Sequence, residues 1–261
     1  MTSQGVQEGG SAAYAALTAR ALGLRPCVVT ACAEPPRALV KAGVAVHCVP
    51  SEATTTFSFV EGPQGRALQL RSLARPLQID DIPAGWLRAP VVHFAPIAGE
   101  VPAEAVRLAA GRFVGLTPQG WLRRWDEAGV VRPVAWPQAK TVLGTATAAV
   151  LSLEDLDGDE ALAACWAEHV PVLVLTRGAG GATVFWQGET HAVPPPQMKA
   201  LDATGAGDIF AAAFFIRLLH TRDPAEAARF ATTLAARSVT RCGLAAVPTP
   251  DEVATALTPL R

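Results

Sequence analysis

The sequence predicts an α/β fold, a mostly parallel sheet flanked by helices with a small β lid outside it, and three observations carry that prediction. Short apolar runs that read as strands alternate with helix-like segments, which is the rhythm of βαβ units. The alternation breaks once, between Thr54 and Leu77, where the strand-like TTTFSFV and RALQLRS flank the turn-forming EGPQG. The composition, 261 residues with 50% hydrophobic and 17% charged side chains, is that of a globular chain able to bury a large core.

Taken in order, GGSAAYAALTARALGL (9–24) places alanine at helical spacing behind a glycine pair and predicts a first helix pressed against a sheet. CVVTA reads as a buried strand, PPRALVKAG as a short helix ended by Gly43, and VAVHCV as a second strand. After the hairpin come strand VVHFAPI (91–97), helix PAEAVRLAA, strand RFVGLTP, a polar helix around WLRRWDEAG, strand AAVLS, helix GDEALAACWAEH and strand PVLVLT. RGAGGATVFWQGETHAV predicts another hairpin, and two long helices follow from about Gly205 to Arg241. No repeat or linker is visible, so the chain reads as one domain, 1–261, with a lid at about 54–77.

Charge and composition exclude several classes. With 22 basic and 23 acidic residues, the net charge of −1 offers no broad nucleic-acid surface. The apolar run Ile209 to Ile216 is far shorter than the roughly 20 residues of a membrane span. The opening MTSQGVQEGG lacks the basic start and apolar stretch of a signal peptide, and five cysteines form neither an even framework nor a CxxC pair, so a reducing cytoplasm is expected. The sequence has no asparagine, so no mechanism here uses an Asn ligand.

The segment richest in chemistry is LDATGAGDIFAAAFFIRLL, from Leu201. Thr204-Gly205-Ala206-Gly207-Asp208 puts small residues where a loop enters a helix, so unpaired N–H groups and the helix dipole make an anion site. Asp208 would lie beside that anion, where a carboxylate takes the proton of an attacking hydroxyl in phosphoryl transfer. The residues alone equally allow Asp208 to be a helix cap and the glycines to serve packing.

DATGAGD (202–208) resembles the second signature of the ribokinase/pfkB-type carbohydrate kinases, and GGSAAYAALTARALG resembles their first. The lid, the strand VLTRGAGGATVF and the paired C-terminal helices follow the family's order, so the resemblance covers nearly the whole chain and implies a ribokinase-like fold. It implies Asp208 as catalytic base and Gly205, Ala206 and Gly207 as the anion hole. Thr176, Gly178, Gly181 and Thr204 fall at nucleotide- or cofactor-binding positions, and Asp202, with Thr204, at a monovalent-cation site. Gly9 and Gly10 match the pair that approaches the acceptor sugar, and the hairpin resembles the lid that closes over it. ATP and Mg²⁺, and K⁺ beside the anion hole, are the cofactors implied.

The chain departs from the family's pattern in three places. It reaches the glycine pair at its ninth residue, so the family's opening strand and its acceptor-binding Asp are expected to be missing. Tyr14 replaces the usual Asn and either stacks on a nucleoside base or packs inward. Ser152 and Asp155 replace the family's Asn-x-x-Glu, leaving Asp155 either to support the metal or to cap a helix. After strand RFVGLTP, Gln119 is a candidate for an acceptor hydroxyl, and Arg123 or Arg124 for a phosphate; this segment resembles the branch that includes plant inositol kinases.

The expected function is an ATP-dependent kinase of a sugar or polyol, with an inositol-like acceptor in view and a homodimer as the expected assembly. A catalytically silent ligand-binding relative and a nucleoside kinase are the alternatives.

Overall fold

The computed structural model describes residues 7–62 and 65–258. Pro63 and Gln64, at the centre of the expected EGPQG turn, lie outside them. The chain opens with α1 (Gly10–Ala21), β1 (Cys27–Cys32), α2 (Arg37–Lys41) and β2 (Ala45–Pro50). The hairpin follows as β3 (Thr56–Gly62) and β4 (Gly65–Ser72), an antiparallel sheet of its own. Next come β5 (Val91–Phe94), β6 (Phe113–Leu116), the short pair β7 (Arg123–Trp125) and β8 (Val131–Pro133), α3 (Ala139–Leu143) and β9 (Ala148–Ser152). The last part contains α4 (Glu160–Ala167), β10 (Val172–Thr176), β11 (Ala182–Trp186), β12 (Glu189–Val193), α5 (Ala206–Thr221), α6 (Pro224–Ser238) and α7 (Pro250–Leu257).

The main sheet has the order β12-β11-β10-β9-β6-β5, with β5, β6, β9 and β10 parallel and β11 and β12 returning antiparallel. Its strands are nearly continuous apolar runs because both faces are covered. Val172 and Val174 of β10 face a core built with α5 and α6, whereas Leu173 and Leu175 face a second core with Leu143, Ala163 and Trp166. Period-two alternation thus feeds two cores from one strand. Gly115 in β6 lets α5 approach, since a Cβ there would stand 2.5 Å from the Phe215 ring.

Four expectations are corrected. The pair β1–β2 is parallel, as the rhythm predicted, but forms a separate two-stranded sheet outside the six-stranded one. PAEAVRLAA makes 3-10 turns over Ala103–Ala109. WLRRWDEAG is not a helix: after a 3-10 turn over Pro118–Leu122, residues 123–125 pair with 131–133 as a hairpin, because the DEAG segment closes a turn at Gly129, with φ +78. Cys32 and Cys48, side by side on β1 and β2, are joined as a disulfide, which the spacing of the five cysteines did not reveal.

The lid hairpin is tied to the second hairpin. Leu70 N–H donates to the Gly129 carbonyl at 2.8 Å, and Gln69 and Val130 form an antiparallel bridge.

Candidate active site

The parallel strands β5, β6 and β9 all end on one edge of the sheet, where their loops meet the first turns of α1 and α5. Gly120, in the loop after β6, lies against the loop after β5: a Cβ there would come within 2.5–2.7 Å of the Pro96–Ala98 backbone. Glu100 fastens that second loop by accepting the N–H groups of Ile97 and Ala98, at 3.0 and 2.7 Å. His93, half-buried in β5 and held down to about 4 by desolvation, meets the Thr117 hydroxyl at 2.9 Å. It is therefore neutral at physiological pH and steadies the segment that carries Gln119.

The start of α5 is built as the motif predicts. Gly205 is its N-cap in the left-handed region, φ +81, a conformation that favours glycine. Ala206 N–H is taken by the Ala203 carbonyl and Ile209 N–H by that of Gly205, while Gly207 and Asp208 N–H take no backbone carbonyl among the described residues. A Cβ on Gly207 would meet nothing within 4 Å, so no side chain crowds the backbone there. A helix start with unpaired N–H groups is suited to an anion. Asp202 shapes the approach, accepting Thr204 N–H at 2.9 Å and Gly243 N–H at 3.4 Å. Thr204 itself is exposed.

Asp208 stands on the first turn of α5. A helix N-terminus alone would hold a carboxylate down, yet burial wins and pushes Asp208 up to about 6. A hydrogen bond from Ser11 and the charge of Arg123 oppose the rise, and the neighbouring Asp155 adds to it. Such a carboxylate is ionised above pH 6 and still basic enough to take a proton. Ser11, buried directly after the Gly9-Gly10 pair, is the functional neighbour that sequence reasoning missed; its place in the first signature was the only signal.

Tyr14 is corrected. It is 1% exposed, and its ring fills the space under Gly205, where a Cβ would lie 2.5 Å from ring atoms. A Cβ on Gly9 would stand 3.5 Å from the same ring, and Gly10 adopts φ +78 at the start of α1. Burial, with Asp202 and Asp208 nearby, pushes the phenol up to about 12. Tyr14 supports the cradle from beneath and offers no face to a base.

Across from Asp208, Gln119, Arg123 and Asp155 converge. Gln119 Nε2 donates to Asp155 Oδ1 at 3.0 Å, Ser152 N–H to Oδ2 at 3.1 Å, and Arg123 Nη2 lies 3.5 Å from Oδ1. Strand alternation in β7 turns Arg123 inward and leaves Arg124 exposed. Burial draws the Arg123 guanidinium below its ordinary range, against the pull of Asp155 and Asp208.

Both Asp155 oxygens accept hydrogen bonds and the Arg123 guanidinium faces one of them. Among the described residues there is no cluster of three His, Cys, Asp or Glu able to hold a metal directly.

Thr176 ends β10 and donates its hydroxyl to the Leu151 carbonyl at 3.2 Å. Gly178 begins the turn at φ +52 with open space around it. Gly181, at φ +82, is pressed against the Val193 carbonyl and Pro195, so its lack of a side chain serves the turn. Arg177 braces this turn through both Glu160 oxygens, at 3.0 Å each.

Comparison with known proteins finds carbohydrate kinases and structures of the same fold. Residues 125–252 match the family described as pfkB family carbohydrate kinase. A fructokinase of Rhizobium leguminosarum bv. trifolii is 30% identical over 183 residues, 66% of this chain and 53% of that protein. The chain thus spans about half the length of this curated relative. A pyrophosphate-dependent kinase in the ribokinase family, solved with a pyrophosphate analog and myo-inositol, superposes with a TM-score of 0.78 at 19% identity, covering 95% of this chain and 91% of that one. Arabidopsis thaliana ribokinase complexed with ribose and ATP gives 0.72 at 21% identity, over 97% and 88%. The central sheet flanked by helices is the ribokinase fold.

Proposed function

We propose that this chain, which has the ribokinase fold and the pfkB carbohydrate-kinase signature over residues 125–252, is a phosphotransferase that moves the terminal phosphoryl group of ATP to an alcohol of a sugar or polyol. One observation carries the reading: the half-buried carboxylate of Asp208, its pKa raised, stands within one helical turn of the N–H groups that no backbone carbonyl takes at the start of α5. The cradle stabilises negative charge on the transferred group, and the carboxylate waits for a proton. The acceptor oxygen forms the new O–P bond as the bond to the leaving ADP breaks, and the hydroxyl proton passes to Asp208. Gln119 and the Gly9-Gly10 backbone face the acceptor in this reading, and the Thr176–Gly181 turn faces the nucleotide. The hairpin β3–β4 acts as the lid of one domain.

Pyrophosphate is the second donor to consider, because a kinase that uses it shares this fold over 95% of the chain. The test is turnover with ATP or pyrophosphate against hexoses, ribose, myo-inositol and nucleosides, reading ADP or phosphate release. Acceptor-dependent release with a sugar or cyclitol is expected. Donor binding with no acceptor phosphorylated would make this a silent binding protein. A nucleoside acceptor loses its main support because Tyr14 is buried.

We extend the reading to a K⁺ requirement at Asp202 and Thr204, checked by exchanging K⁺ for tetramethylammonium, and to a homodimer, checked by sedimentation. We keep a cytoplasmic location as a proposal, although the Cys32–Cys48 disulfide removes the cysteine argument for a reducing compartment. Tagging the protein in cells tests it.

A further inference from the structure

We infer that the hairpin β7–β8 is the strut of the lid: it adds a third strand segment to the β3–β4 sheet and ties the position of the lid to the turn that carries Gln119. Gly129 and Gln69 are then positioning residues for the acceptor. The inference rests on the reading of β3–β4 as a lid over the acceptor, while the coupling of the two hairpins stands on their own contacts.

Three observations support it. First, the base of the strut is fixed in the body of the protein. Val134 N–H donates to the Leu122 carbonyl at 2.9 Å, Leu122 is buried in the second core, and Trp121 Nε1 donates to the Val101 carbonyl at 2.8 Å. The strut therefore leaves directly from the turn that holds Gln119 against Asp155. Second, the tip is built from its own residues. Asp126 N–H donates to the Val130 carbonyl at 3.1 Å, while the Asp126 carbonyl accepts Gly129 N–H at 2.8 Å and its Oδ1 accepts Val130 N–H at 2.9 Å. Third, that tip is pressed against β4. Leu70 N–H donates to the Gly129 carbonyl at 2.8 Å, Gln69 Nε2 donates to the Ala128 carbonyl, and Gln69 stands opposite Val130 in antiparallel register. A Cβ on Gly129 would lie 2.6 Å from the Leu70 carbonyl oxygen, so glycine is what permits the approach. A two-stranded hairpin is marginal in water, and a third strand or a packed face stabilises it. With β3 on one edge of β4 and the strut on the other, the strut keeps the lid formed and aimed, and a shift of the lid reaches the Gln119 turn through residues 123–134.

The experiment follows amide hydrogen exchange of the lid by mass spectrometry, beside steady-state kinetics. Asn tolerates a left-handed backbone but carries a Cβ, so Gly129→Asn isolates the collision with Leu70 from the needs of the turn. It should speed exchange in residues 67–72 about tenfold, the loss of one backbone hydrogen bond, and Gln69→Ala should speed it less. Acceptor KM should rise about fivefold or more in Gly129→Asn, with donor KM and kcat near wild type. The converse variant, Gln69→Cys with Val130→Cys, joins two residues that face each other across the bridge, a separation suited to a disulfide. Once peptide mapping has confirmed the crosslink, turnover within about twofold of the reduced sample is expected, because the strut and the lid move as one body. Wild-type exchange in both Gly129→Asn and Gln69→Ala, or a wild-type acceptor KM in Gly129→Asn, would overturn the inference. So would a crosslinked protein that loses turnover and regains it on reduction, since the lid would then leave the strut in every cycle. If Gly129→Asn does not fold, Gln69→Ala and the crosslink still decide. A protein that phosphorylates no acceptor loses the kinase reading, yet the exchange of its lid amides still shows whether the strut holds the lid.

Discussion

Replacing Asp208 by Asn tests the proposed chemistry and the electrostatics of the site together. Burial raises this carboxyl from its ordinary 3.8 to about 6, so the folded protein holds a proton there that the unfolded chain has already released. Stability therefore falls as pH rises from about 4 to 6 and stays lower above that window. The difference corresponds to about 3 kcal/mol at pH 7.5, at 1.36 kcal/mol for each tenfold change in the proton equilibrium, and to roughly half of that at pH 5. Partial exposure of Asp208 makes these upper bounds. Asn cannot ionise and keeps the shape, so Asp208→Asn should be more stable than wild type at pH 7.5, with the advantage shrinking toward pH 5. The same substitution removes the base, and kcat should fall about 10²- to 10⁴-fold. The wild-type kcat/KM should rise through pH 6, a dependence the residual activity of the variant lacks. Urea unfolding at the two pH values and initial rates on one protein batch measure all of this. Turnover within a few-fold of wild type would refute the base, and equal stabilities at pH 7.5 would refute burial as the cause of the raised pKa.

Gly205→Ala should lose about 1–3 kcal/mol of stability and weaken donor binding, because a Cβ would collide with the Tyr14 ring at a backbone φ of +81; thermal melts and a donor titration check it. Gly120→Ala should destabilise by a similar amount by separating the loops after β5 and β6, seen as a lower Tm and a raised acceptor KM. Gln119→Leu should raise acceptor KM and release Asp155, with ATP KM nearly unchanged, as steady-state kinetics would show.

The helices and strands legible in the sequence were those whose pattern is enforced by burial. VLVLT announced a two-faced strand, and the apolar face after DATGAGD announced α5. The misreadings fell where local chemistry is ambiguous and tertiary contact decides. WLRRWDEAG has residues that suit a helix, yet Gly129 and pairing to residues 131–133 make it a hairpin. The fate of Tyr14 depended on a glycine 191 positions later, a contact no local window contains. Asp155 kept the spacing of a metal-organising motif, but its partners come from the loop after β6 and were invisible without the fold.

The ring beneath Gly205 makes positions 14 and 205 a single unit of inheritance. A side chain at 205 has no room while Tyr14 is present, and a small residue at 14 leaves a void while Gly205 remains. Either change alone is a loss, whereas the exchange of both together restores volume and leaves only the backbone strain of a side chain at φ +81, so a double-mutant cycle across the pair should be non-additive. Lineages descending from this chain would cross between the two solutions only in paired steps, and the first helix and the DATGAGD loop would then vary as partners instead of as independent motifs.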